Sequence, residues 1–174
     1  MQQTLLSLAA LLIATLLSFN QLQASMQSQQ QVVRAEMEQM ALGVAMQTME
    51  VIRARAFDAE TADRSSENVA DRSDLTPLPF SPGNDCEVFG GGDRCNDVDD
   101  FHRMDPATVP FELPDGALDF EVRAEVRYVT PGLEPAGGRT FGKEVILTVQ
   151  DDPPNGQAPR LSDGIRYSQV ITYP

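Results

Sequence analysis

The sequence predicts an α+β protein: a long N-terminal α-helix, apolar in its front half and amphipathic in its back half, packed on a small antiparallel sheet. Three observations carry this expectation. Residues 1–42 contain neither Gly nor Pro, residues 120–128 alternate apolar and charged side chains without a break, and the later β-rich runs are separated by Pro, Gly and Asn-Gly turn chemistry. At 174 residues the chain has room for one core plus an extension. Its 13 Lys and Arg against 26 Asp and Glu give a formal net charge of -13, which repels phosphate backbones and excludes nucleic acid as a partner.

The helix comes first. Residues 1–33 hold no charged side chain, and residues 5–19 are apolar except for Ser7, Thr15 and Ser18. Leu5, Leu6, Leu8, Leu11, Leu12, Ile13, Leu16, Leu17 and Phe19 therefore form a segment that seeks a membrane or the core of a filament. As a helix these residues span about 22 Å against the ~30 Å of a hydrocarbon core, so as a membrane span the segment is marginal, even with uncharged residues 20–25 extending it. A cleaved signal peptide is the alternative, with Leu22-Gln23-Ala24 as its cleavage site. Against that alternative, the first cationic side chain is Arg34, and the chain beyond Ala24 continues in helix formers.

From Val33 onward one apolar stripe appears. Val33, Met37, Met40, Ala41, Val44, Thr48, Val51 and Ile52 follow the spacing of one helix face. Gly43 is the weak point of that stretch, and the helix is expected to end near Phe57. The predicted organisation is thus a helix over 1–57, with 1–25 as the membrane or filament-core segment, a connector over 58–85, and a β-rich domain over 86–174. A helix of this length, roughly 80 Å, cannot bury its front half against its own small domain. A bilayer, a coiled-coil partner or a bundle of identical helices could cover it. Coiled coil fits least, because the segment is apolar on all sides rather than along one seam.

The connector is rich in Asp, Glu, Arg, Ser and Thr and reads as solvated, ending in the extended run Thr76-Pro77-Leu78-Pro79-Phe80-Ser81-Pro82. Cys86 and Cys95 are the only cysteines and bracket Gly90-Gly91-Gly92. A disulfide is expected between them, a pair of free thiols being the alternative. Next comes Asn96-Asp97-Val98-Asp99-Asp100-Phe101-His102, the densest acidic cluster. Asp97, Asp99 and Asp100 are weak calcium candidates, since Phe101 stands where a further ligand should be. The competing reading is that Val98 and Phe101 anchor the segment while the carboxylates cap a turn or short helix. His102, the sole histidine, has no second metal-ligand or triad partner and reads as a packed or solvent-facing side chain.

Three strands follow. Phe120, Val122, Ala124, Val126 and Tyr128 share one face, with Glu121, Arg123, Glu125 and Arg127 on the other. Residues 141–150 place Lys143, Val145, Leu147 and Val149 on one face, and residues 165–173 form the third strand. Their turns imply an antiparallel meander. The apolar face of so small a sheet needs a cover, and the back half of the helix is the sizeable one in this chain.

The plan resembles a type IV pilin or pseudopilin. The helix end Met49-Glu50-Val51-Ile52-Arg53-Ala54-Arg55-Ala56-Phe57-Asp58, the segment Asp97-Val98-Asp99-Asp100-Phe101-His102, and the strands over 121–129 and 143–149 look like those of MSHA-type and related minor pilins. Unlike such pilins, the chain shows no Gly ahead of the apolar run and no Glu within it, so leader processing and the glutamate contact of that family are not expected from these residues. The resemblance implies a pilin-like fold and a subunit of an extracellular or cell-surface filament. It also implies an inner-membrane-inserted precursor handled by assembly machinery, and a homo-oligomer built by bundling of the N-terminal helices.

Two other readings stand beside it: a periplasmic or surface binding module anchored by residues 1–24, and a domain secreted after cleavage following Ala24. No enzyme and no cofactor are expected. The chain has no nucleophile–base pair, no phosphate-binding Gly-rich loop and no Cys-x-x-Cys. Lys143, the single lysine, reads only as part of a strongly anionic composition.

Overall fold

The computed structural model describes residues 2–63, 69–83, 86, 95–114, 116–154 and 157–173, with the side chains of residues 2 and 4–10 outside that description. The glycine run Gly90-Gly91-Gly92 and the Asn155-Gly156 turn also lie outside the described residues. The chain forms two compact units, Met1–Met37 and Glu38–Pro174.

The first unit is the front of helix α1, Gln2–Arg53. Its uncharged sequence, free of helix breakers, propagates without interruption. Two of its hydroxyls turn back to the backbone: Thr15 Oγ1 donates to Leu12 O at 2.9 Å and Ser18 Oγ to Ala14 O at 3.0 Å. Both of these hydroxyls are thereby satisfied within the helix itself.

In the second unit, α1 packs on a four-stranded antiparallel sheet of order β1-β2-β3-β4. The strands are β1 Ala107–Leu113, β2 Gly116–Tyr128, β3 Gly142–Asp151 and β4 Ile165–Thr172. Of the predicted stripe, Met37, Ala41, Val44, Thr48 and Ile52 are buried, Met40 and Val51 are half-buried and Val33 is exposed, while Ala45 and Met49 of α1 are buried beside them. Helix α1 runs through Gly43, where a Cβ would stand 3.8 Å from the Phe111 ring of β1. From the sheet, Phe120, Val122, Ala124, Val126 and Tyr128 point inward, matching the period-two reading. The register pairs Tyr128 with Lys143 and Ala124 with Leu147.

Four expectations need correction. The sheet has four strands rather than three: β1 carries Pro110, which masks a strand signal but is tolerated because β1 is an edge. Second, β2 begins at Gly116, before the alternating run. Third, α1 ends at Arg53 rather than near Phe57, because Ala56 leaves the helix to bridge Asp97. Its N–H donates to Asn96 O at 3.2 Å and its carbonyl accepts from Val98 N at 3.0 Å, so tertiary hydrogen bonds replace the last helical ones. Finally, the connector is more than a wet strap. Val69, Leu75 and Phe80 are buried in the core, and short helix α2, Ala59–Asp63, follows Asp58 directly.

Candidate functional site

The outward-facing candidate is the front of α1. Leu11, Leu12, Ile13, Leu16, Leu17 and Phe19 are each 59–66% exposed. They lie on every side of the helix, as consecutive positions such as 11, 12 and 13 must at 3.6 residues per turn. The side chains of Leu5, Leu6 and Leu8 are outside the described residues. Among the described residues no helix is long and apolar enough to cross a membrane, which corrects the transmembrane-helix expectation for that part of the chain.

The acidic segment is resolved differently from a cation cage. Asp97 Oδ1 accepts from Asp99 N at 2.7 Å and from Asp100 N at 3.3 Å, while Asp100 Oδ2 accepts from Asn96 N at 2.9 Å and Asp97 N at 3.2 Å. Asp97 thus accepts from the first N–H groups of the 3-10 turn Asp99–Phe101, Asp100 reaches back to the backbone ahead of it, and Val98 and Phe101 are fully buried. Asp99 points elsewhere. Among the described residues no group of acidic, His or Cys side chains could hold a metal ion, so the calcium reading of Asp97, Asp99 and Asp100 is set aside. Cys86 and Cys95 form a disulfide with a Cα–Cα separation of 5.5 Å. His102 is half-buried: its Nδ1 accepts from Val126 N at 3.1 Å, and its ring meets Phe80 edge-on. Burial holds its pKa below the usual histidine value, with Arg103 adding to the depression.

The centre that sequence reasoning missed is built around Lys143. Its place at the start of β3, directly opposite Tyr128, aims the side chain into the core, where it is completely buried. Nζ donates to Asp58 Oδ2 and to Phe57 O, each at 2.7 Å, and lies 2.7 Å from each Asp99 carboxyl oxygen. The rings of Phe57, Tyr128 and Phe80 stand 4.4, 5.2 and 5.6 Å from it. The Ala56–Asp97 bridge is what sets Asp58 and Asp99 side by side. One signal was legible: a lone lysine on the inward column of a strand.

The two carboxyl groups differ. Asp58 also accepts from Thr76 N at 3.1 Å, Thr76 Oγ1 at 2.9 Å and Tyr128 Oη at 3.3 Å. Burial alone would raise its pKa, but Lys143 and the Thr76 donors together hold it below the ordinary aspartate value. Asp99 has Lys143 as its donor, Oδ1 has no hydrogen bond, and burial pushes its pKa up to about 7 despite the lysine. Burial likewise raises the Tyr128 hydroxyl, with the Asp99 and Asp58 carboxylates adding to the rise.

A third feature is an open cleft of about 600 Å³ over the sheet, bordered by Arg103, Arg123, Glu125, Thr148 and Arg166. Arg123 is already paired with Glu121 at 2.7 Å.

No family model, curated protein or solved structure matches this chain.

Proposed function

We propose that the chain is a non-enzymatic structural subunit of a pilus-like filament at the cell surface, assembled by bundling the front halves of α1 from identical subunits. The observation that carries this reading is the uncharged apolar helix surface exposed on all sides at residues 11–19. A single docking groove would cover one face, whereas neighbours surrounding the helix in a bundle cover every face. Burying each such Leu, Ile or Phe contributes roughly 1–2 kcal/mol when it starts about 60% exposed. Repeated heterologous contacts between identical chains generate an open helical assembly wherever the rotation from one subunit to the next does not close into a ring. The glutamines over 21–31 extend the uncharged surface, so no ion needs to be desolvated. The helix-on-sheet domain, with its net negative charge, would coat the outside. Assembly machinery and a membrane-held precursor belong to this reading.

The test is Leu12→Asp in the full chain. Wild-type protein should pellet as filaments without detergent and show filaments by negative-stain microscopy. The variant should stay in the supernatant, with its far-ultraviolet circular dichroism unchanged, because a buried unpaired carboxylate in the bundle is prohibitive. Filaments from Leu12→Asp would refute helix bundling. A wild-type chain that stays monomeric would favour the singly anchored binding module instead.

A further inference from the structure

We propose that Lys143 and Asp99 are joined by an intramolecular amide bond between Nζ and the Asp99 side-chain carbonyl carbon, formed by the folded protein itself with Asp58 as the proton acceptor. The proposal does not depend on filament assembly.

Proximity is the first requirement. With Nζ 2.7 Å from both Asp99 oxygens, the carboxyl carbon lies within the ~3–3.5 Å of a near-attack arrangement. Exclusion of water is the second. The side chains of Lys143 and Asp58 are fully buried and that of Asp99 is 8% exposed, with Phe57, Phe80 and Tyr128 packed around the amine. In such surroundings the reverse reaction lacks bulk water.

The third requirement is a division of roles between two carboxyl groups, and their partners supply it. Asp58, held by Thr76 and Tyr128 donors, keeps its charge and can take a proton from the ammonium. Asp99 lacks such donors, and one of its oxygens has no hydrogen bond. Burial favours its neutral acid, the form whose hydroxyl can leave as water.

The step balances without any co-reactant. The Lys143 ammonium gives one proton to the Asp58 carboxylate, and the neutral nitrogen forms a bond to Cγ of the Asp99 acid. The C–O bond to one Asp99 oxygen then breaks, and that oxygen departs as water, carrying its own proton and a second one from nitrogen. The products are a neutral amide, one water and protonated Asp58, which can donate to the new carbonyl. No oxidation state changes. A buried cation and anion are replaced by neutral groups, which removes the desolvation cost of holding both ions out of water. The bond would tie β3 to the Asp99–Phe101 turn across 44 residues of sequence. It would thereby clamp the sheet to the segment that meets the end of α1.

The test is the intact mass of the reduced, denatured full chain. The expected mass is one water below that calculated from the sequence. Trypsin should then leave Lys143 uncut and release a branched peptide joining residues 140–160 to residues 95–103. Lys143→Arg and Asp99→Ala should each restore the full calculated mass, a readout that holds whether or not these variants fold. A wild-type chain of full mass with only linear peptides would overturn the proposal. So would a water loss that survives in Asp99→Ala, or a branch that maps to Asp58.

Discussion

Replacing Gly83 by alanine tests how tightly the connector is laid against the segment that carries Asp99. A Cβ on Gly83 would overlap the Asp100 carbonyl oxygen and stand 2.9 Å from its carbon, whereas real Cβ contacts begin near 3.0 Å. The obstacle is backbone, so no side-chain rotation relieves it. The connector must move away from the turn, and the hydrogen bond from Gly83 N to His102 O at 2.8 Å is lost with it. Overpacking of this kind costs about 1–3 kcal/mol and an ordinary hydrogen bond about 1 kcal/mol, so a destabilisation of roughly 2–4 kcal/mol is expected. Urea unfolding of the full chain, followed by circular dichroism, should show the midpoint fall by roughly 1–2 M for a typical slope. Gly137→Ala is the control, since nothing lies within 4 Å of a Cβ placed there. If Gly83→Ala unfolds at the same urea concentration as Gly137→Ala, the close approach argued here does not exist.

Two further outcomes are expected. Tyr128→Phe keeps the ring but removes the hydroxyl that donates to Thr76 O at 2.8 Å and to Asp58; leaving these buried acceptors short should cost about 1–3 kcal/mol, and an unchanged melting temperature would contradict it. Burial, helped by the Asp100 carboxylate, pushes Asp97 up to about 6, above its unfolded value of 3.8. The folded state therefore binds the Asp97 proton more tightly, and this contribution to stability is full at low pH and lost as pH rises through about 6. Asp97→Asn keeps the side-chain oxygen that accepts from Asp99 and Asp100 and removes the charge. Its stability relative to wild type should rise between about pH 4 and pH 8, by up to about 3 kcal/mol, and a flat difference in urea titrations across that range would refute the assignment. Asp99 adds a slope of the same sign only in chains whose Asp99 carboxyl is still free.

The arginine-bordered cleft and the buried lysine show how charge is distributed in a strongly anionic chain. Arg127 pairs with Glu144 at 2.6 Å across β2 and β3, and Arg139 donates to Ser73 O at 2.7 Å, so these cations are tied to the fold. Lys143 is the extreme case, its nitrogen held wholly inside. A buried ion pair is weak evidence of stability, because desolvation offsets the attraction. That is the physical reason the Lys143 centre reads better as chemistry than as a strut.

The sequence by itself determined the periodic elements. A long charge-free run of strong helix formers without Gly or Pro favours unbroken helix, and strict alternation over 120–128 specifies which face of β2 is buried, because the side-chain period of a strand is two. The exposed apolar front of α1 was equally legible, since it depends on local composition alone. Tertiary structure decided what depends on distant partners. Edge strand β1 needed its neighbour to outweigh Pro110, and the end of α1 was set by Asn96 and Val98 rather than by any stop signal near residue 53. At Gly164, whose φ is +61°, an added Cβ would stand 2.9 Å from Val149 O, a closeness visible only once β3 and β4 are paired. The Lys143 centre is the clearest instance. Phe57 and Asp58, Thr76, Asp99, Tyr128 and Lys143 come from five separated stretches with no shared period. They meet because one parallel bridge brings Ala56 to Asp97 and one register brings Tyr128 opposite Lys143. Local patterns fix what each segment prefers, but only folding fixes which segments share a buried space, and it is that sharing that turns a lone lysine into a reactive centre.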